Sequence, residues 1–205
     1  MAELWIGSNN PKKLKELTRL LEPLGITLRT PRELSAPFDP VEDQPDYAGN
    51  ARKKATLLAH LSGSIALADD SGLCVDALDG RPGVHSARYG GPGLDDRGRL
   101  LRLLEELRDV PHERRTARFV CSLCVAAPDG TVLASIEQAC EGVLRAEPSG
   151  AGGFGYDPIF VPVEHQDDMS QSFAVLDAAI KDRLSHRGKA LRALVSELPT
   201  LLGDR

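Results

Sequence analysis

The sequence has no apolar run near the ~18–20 residues that a membrane-spanning helix needs, so no membrane association is expected. A basic N-terminal segment followed by an apolar stretch is also missing. No secretory signal can be read, and the expected location is the cytoplasm. No internal repeat or low-complexity tract occurs. Excess positive charge is absent too: 25 Lys and Arg against 30 Asp and Glu leave a formal net charge of -5. Sequence-independent binding to nucleic-acid phosphates needs clustered cations, so nucleic acid is not an expected partner. A small phosphorylated ligand remains open, because a few local cations suffice for it. Cysteine is scarce, with four residues that suit a reducing compartment as small buried hydrophobes. Cys121 and Cys124 have the spacing of half a zinc site, but Phe119, Cys121, Leu123 and Val125 alternate in strand fashion. Strand residues three apart point to opposite faces, which predicts packing rather than a shared metal.

What is present is a 205-residue chain that is 41% hydrophobic, enough for a sizeable core in one domain spanning 1–205. Leu4–Ile6 reads as a short buried strand. Leu14, Leu17, Leu21 and Leu24 then recur at helical spacing, behind Asn10 as N-cap and Pro11 at the first helical position. Ile26–Arg29 is a second strand, and Pro31–Pro45 an irregular connection. Asp46 caps a helix through Leu61, and Ile65–Ala68 is an apolar strand expected to end at two aspartates. Asp79–Gly93 reads as a loop and Asp95–Arg108 as an amphipathic helix. Thr116–Ala127 and Thr131–Ala146 form a hairpin about Pro128-Asp129-Gly130. Ser149–Gly155 is a glycine-rich loop, and helical pattern runs from about Phe173, breaks near Ser185 and resumes over His186–Leu198. This order predicts an α/β fold with a mixed central sheet flanked by helices.

Chemistry could reside in three places. At Ser8-Asn9-Asn10-Pro11-Lys12-Lys13 a strand runs into a helix whose first turn carries lysines. Lysines oppose the helix dipole there, and a bound anion would explain them, although they also fit a solvated helix start. At Ala68-Asp69-Asp70-Ser71-Gly72, adjacent carboxylates suit Mg²⁺ and the activation of a water. Ser71 could donate to a phosphate oxygen, while a plain turn is the other reading. The third is split between Gly152-Gly153-Phe154-Gly155-Tyr156-Asp157-Pro158 and Ser185-His186-Arg187-Gly188. Glycines around two aromatics could offer backbone and a flat ring to a base. Asp157, His186 and Arg187 could read its edge or stack on it, and Ser185 could equally be a helix cap.

Five strings in order carry a resemblance: 8–13, Ala-Asp-Asp-Ser-Gly-Leu (68–73), Gly-Arg-Pro-Gly-Val-His-Ser-Ala-Arg-Tyr-Gly (80–90), Gly-Gly-Phe-Gly-Tyr-Asp-Pro-Ile-Phe (152–160) and Ser-His-Arg-Gly-Lys-Ala-Leu (185–191). Together they resemble the inosine triphosphate pyrophosphatase family, the noncanonical purine nucleotide pyrophosphatases. The resemblance implies two lobes with a deep substrate cleft, a homodimer, Mg²⁺ dependence, and hydrolysis of ITP, dITP and XTP to the monophosphate and pyrophosphate. It implies that Ser8, Asn9, Asn10, Pro11, Lys12 and Lys13 bind the triphosphate and that Ser71 touches phosphate. It makes Asp70 the carboxylate that activates water and holds metal, with Asp69 beside it. Phe154, Gly155, Tyr156 and Asp157 would form the base pocket, Lys181 would contact base or phosphate, and His186 and Arg187 would read the 6-oxo purine edge and stack on the ring.

The chain departs from the family pattern at Gly49, where a metal-supporting glutamate is usual, and at Ala179 and Ile180, where the family tends to be acidic. Gly49 motivates a second reading, a nucleotide binder with impaired turnover, unless Glu42, Asp43 or Asp46 substitutes. A third is a related pyrophosphatase for modified pyrimidine nucleotides.

Overall fold

The computed structural model describes residues 3–203. In chain order its elements are β1 (Glu3–Gly7), α1 (Pro11–Leu21), β2 (Thr27–Arg29), α2 (Tyr47–Ser62), β3 (Ala66–Val75), α3 (Asp96–Glu106), β4 (Thr116–Ala126), β5 (Val132–Leu144), β6 (Phe160–Pro162), α4 (Ala178–Leu184), α5 (His186–Val195) and α6 (Leu198–Leu201). The strands form one mixed sheet in the order β2-β1-β3-β4-β5-β6. β1 lies parallel to β2 and β3, with Trp5 opposite Arg29 and Ala66, while β5 and β6 run antiparallel with Val143 opposite Val161. This is the expected α/β class.

The chain divides into two compact units: residues 1–70, 121–138 and 187–205 form the first, 71–120 and 139–186 the second. In the first unit, strand alternation sorts the core into two layers. Leu4, Ile6, Leu67, Cys121, Leu123 and Val125 pack with Leu17 and Leu21 of α1 and with Leu191 and Leu194 of α5. Trp5, Ala66, Ala68, Cys124 and Ala126 pack with Ala51, Ala55 and Leu58 of α2 and with Phe38. Cys121 and Cys124 therefore fall in opposite layers, as the alternation predicts. Burial pushes their thiols up to about 12 and about 11, which keeps them neutral. The second unit has its own core, built from Leu73 and Val75 of β3, Leu100 and Leu103 of α3, Phe119, Phe160 and Phe173.

The helix starts follow the local chemistry. Asn10 caps α1, and Asp46 and Asp95 cap α2 and α3 by accepting the amides of Gly49 and Gly98 at 2.7 Å. Two expectations need correcting. The strand at Asp69 and Asp70 does not end there but runs on to Val75. The final helical region begins at Ala178, where the Asp177 carboxylate caps Ala179, and Phe173 instead buries its ring and bonds its amide to the Phe160 carbonyl.

Candidate active site

Because β3 stays extended through Asp69 and Asp70, the adjacent carboxylates point to opposite faces of the sheet. Each meets a different set of partners. Asp70 shares the face of Ala66 and Ala68, towards α2. There the Asn50 amide donates to Oδ2 at 3.0 Å and the Lys54 ammonium lies 3.3 Å from Oδ1. Lys54 also lies 2.7 Å from the Glu42 carboxylate. Burial raises the Asp70 carboxyl above its usual range, with Glu42 adding to it, against the pull of Lys54, Lys13 and Asn50. Burial lowers the Lys54 ammonium, but Asp69, Asp70 and Glu42 outweigh it, and it stays charged.

Asp69 faces the α1 and α5 layer. Its Oδ2 lies 3.1 Å from Lys13 Nζ and 3.2 Å from Arg187 Nη2, and Arg187 Nη1 is bound by Glu16. Burial works against the Asp69 charge, yet Lys13, Arg187 and Lys54 hold its carboxyl far below the ordinary range. The two carboxylates thus do not converge on one point. Asp70 stands beside Glu42, while Asp69 Oδ2 lies between the two cations Lys13 and Arg187. Arg187, only 2% exposed, lies with Glu16 and Asp69 in the first unit.

The β1–α1 turn forms a pocket of about 240 Å³ lined by Gly7, Ser8, Asn9, Asn10 and Lys13 on one side and by Phe38–Pro40, Glu42 and Lys54 on the other. Pro11 lies on a different groove, with Leu14 and Lys15, and Lys12 is not among the lining residues of this pocket. The helix start itself offers little to an anion. Pro11 has no N–H, Asn10 Oδ1 accepts from Lys12 and Lys13, and the Leu14 amide reaches the Asn10 carbonyl. Ser8 Oγ accepts the Asn10 amide at 3.2 Å. The cations that line this pocket are Lys13 and Lys54, which stand among the carboxylates of Asp39 and Glu42.

In the second unit, Asp157 Oδ2 accepts the Phe154 amide at 2.7 Å and pairs with Lys181 Nζ at 2.8 Å. Lys181 stands 5.2 Å from the centroid of the Phe154 ring. His186 stacks on Phe119 at 4.9 Å, and Phe119 lies parallel to Phe173 at 6.2 Å. Gly155 adopts a positive φ of 59° and donates its amide to Asp96. Of the two aromatics expected at a base, Phe154 is half-buried, while Tyr156 is a core residue whose hydroxyl donates to the Ser86 carbonyl at 3.0 Å. Ser71 follows Asp70 directly in β3 and is half-buried.

Sequence reading missed Lys54 and the role of Asn50. A signal existed: the buried residues of α2 include Tyr47, Asn50, Ala51, Lys54, Ala55 and Leu58, so a lysine and an asparagine stand one turn apart on an otherwise apolar face. Gly49 is off that face. A side chain there would meet Gln44 and Asp46, and the glycine lines a groove with Arg52, Cys124 and Thr131. The acidic residue beside Asp70 is Glu42. Gly49 therefore removes nothing from the Asp70 cluster, and the reading of impaired turnover loses its motive.

Known proteins share this architecture along the whole chain. The sequence profile of the Ham1 family matches residues 4–197. A dITP/XTP pyrophosphatase from Desulforamulus reducens is 45% identical over 199 residues, covering 97% of this chain and 96% of its own. One of the same name from Rhodopirellula baltica is 44% identical over 202 residues, covering 98% and 95%. Among solved structures, a HAM1 protein from Coxiella burnetii superposes with a TM-score of 0.85 at 38% identity, covering 97% of this chain and 98% of that one. The Ham1 protein of Staphylococcus aureus gives 0.82 at 32% identity, covering 96% and 97%.

Proposed function

The chain belongs to the Ham1 family, and from that premise we propose that it hydrolyses noncanonical purine nucleoside triphosphates (ITP, dITP, XTP) to the monophosphate and pyrophosphate. The observation that carries the chemistry is Asp70, buried beside Asn50, Lys54 and Glu42 at the edge of the β1–α1 pocket, which Lys13 and Lys54 line.

Glu42 and Asp70 suit a divalent cation. Two hard carboxylates flank one ammonium, so the place already demands positive charge, and Mg²⁺ commonly takes one or two carboxylates plus phosphate oxygens. Bound there, Mg²⁺ would act as a Lewis acid towards the phosphate. Asp70 accepts the proton of the water that attacks the α-phosphorus. A new P–O bond forms, the bond to the bridging oxygen breaks, and pyrophosphate leaves. Burial strengthens Asp70 as a base, and a cation held beside it would act in the opposite sense. Lys13 and Lys54 compensate phosphate charge. Asp69, Arg187 and Glu16 hold Lys13 in place.

The base falls to the second unit. Lys181 is a donor-only group beside the flat Phe154 ring, and Asp157 fixes both. Donors placed at position 6 pair with the carbonyl of hypoxanthine or xanthine and are left unpaired by the amine of adenine. Both units would serve as one functional domain, in a cytoplasmic homodimer. The net charge of -5 supports a protein that does not engage nucleic acid. Among the described residues no helix is long and apolar enough to cross a membrane.

The test is Asp70→Asn, which keeps the shape of the side chain and its neighbours. Loss of a general base predicts a fall in kcat of about 10²–10⁴ with an unchanged unfolding midpoint. Full turnover in that variant would remove Asp70 from the chemistry.

A further inference from the structure

Phe38 to Gln44 form an irregular strap along one wall of the phosphate pocket. Its side chains do not share one environment. Phe38 is buried against Trp5, Ala51 and Ala55, Val41 is 66% exposed, and Glu42 reaches Lys54. The strap has no helix or strand bonds of its own; within it Asp43 pairs with Lys53 at 2.8 Å, and its two ends are held by side-chain amides. At the far end Asn50 Oδ1 accepts the Gln44 amide at 3.0 Å, while the same side chain donates to Asp70. At the near end Asn9 Nδ2 donates to the Phe38 carbonyl at 2.8 Å. A carbonyl only accepts, so it is the NH₂ end of Asn9 that stands there.

We infer that Asn9 is a positioning residue. Its side-chain amide, bonded across the pocket to the Phe38 carbonyl, holds the Phe38–Gln44 strap and so sets Glu42 against Lys54 and Asp70. The family resemblance alone would make Asn9 a phosphate ligand. The geometry gives its amide a protein acceptor and makes it act on the reaction through Glu42. This inference rests on the proposed reading only for the role of Glu42. A hydrogen bond of this kind converts to a factor of about two to ten.

The experiment compares Asn9→Ala, Glu42→Gln and the double variant in the full-length protein. One readout is pyrophosphate release from ITP with Mg²⁺. The other is amide hydrogen exchange without substrate or metal. Positioning predicts faster exchange over 38–44 in Asn9→Ala with Pro11–Leu21 unchanged. It also predicts a loss in kcat/KM of about two- to tenfold, and a double variant no slower than Glu42→Gln alone. Unchanged exchange over 38–44, or losses that multiply fully, would overturn it, because Asn9 would then act on phosphate directly. Full activity in Glu42→Gln would instead count against the proposed site, and the exchange measurement would still decide whether Asn9 holds the strap.

Discussion

Asp69 and Asp70 are neighbours in sequence and opposites in duty. Period-two geometry turns one to α1 and α5 and the other to α2, and each acquires its charge state from what it meets. The Asp69 carboxyl lies below its unfolded value, so its contribution to stability is complete above the ordinary carboxylate range and is lost only as pH falls through the lower folded value. Asp69→Asn leaves Arg187 and Lys13 facing a neutral group, with Arg187 2% exposed. Denaturant unfolding at neutral pH is expected to show a loss of about 3–5 kcal/mol, the cost of breaking a buried pair from one side. A loss near zero would mean that water or Glu16 alone compensates the guanidinium. The Asp-Asp string was legible as two adjacent carboxylates on a buried strand. That its members part company was not, because it depended on the strand continuing to Val75.

At the scale of elements, α2 decides which acidic residue serves Asp70. Asn50 and Lys54 are one turn apart and face the carboxylate, and Gly49 is rotated away towards Gln44 and Asp46. Gly49→Glu would bring a Cβ to 2.9 Å from that of Gln44, which anchors the segment carrying Glu42, so it is expected to raise neither kcat nor Mg²⁺ affinity above the parent. A gain of about tenfold in either would show that position 49 reaches the metal after all. Caps, hairpin and the opening strand–helix unit were readable because their determinants are local: Asn10-Pro11, Asp46, Asp95 and Pro128-Asp129-Gly130. Short β6 was missed because three residues give no periodicity, and its place beside β5 is fixed by long-range pairing.

Across the whole molecule, the proposed function assigns phosphate chemistry to the first unit and base contact to the second. Lys13, Lys54, Glu42 and Asp70 belong to the first, and Phe154, Asp157, Lys181 and His186 to the second. The ordered motifs made the fold class and the family legible. The surroundings of Arg187 and Tyr156 were not legible, because they turn on contacts with segments far away in sequence: Glu16 and Asp69 for the first, Ser86 for the second. No local pattern contains those contacts. Selection for a 6-oxo base by the second unit, coupled to hydrolysis by the first, is the central claim. The most direct measurement is pyrophosphate release from ITP, XTP, GTP and ATP, with Mg²⁺ and with chelator. The account predicts release from ITP and XTP that stops with chelator and exceeds release from ATP by about a hundredfold or more. Equal rates on ITP and ATP, or release that persists with chelator, would contradict it.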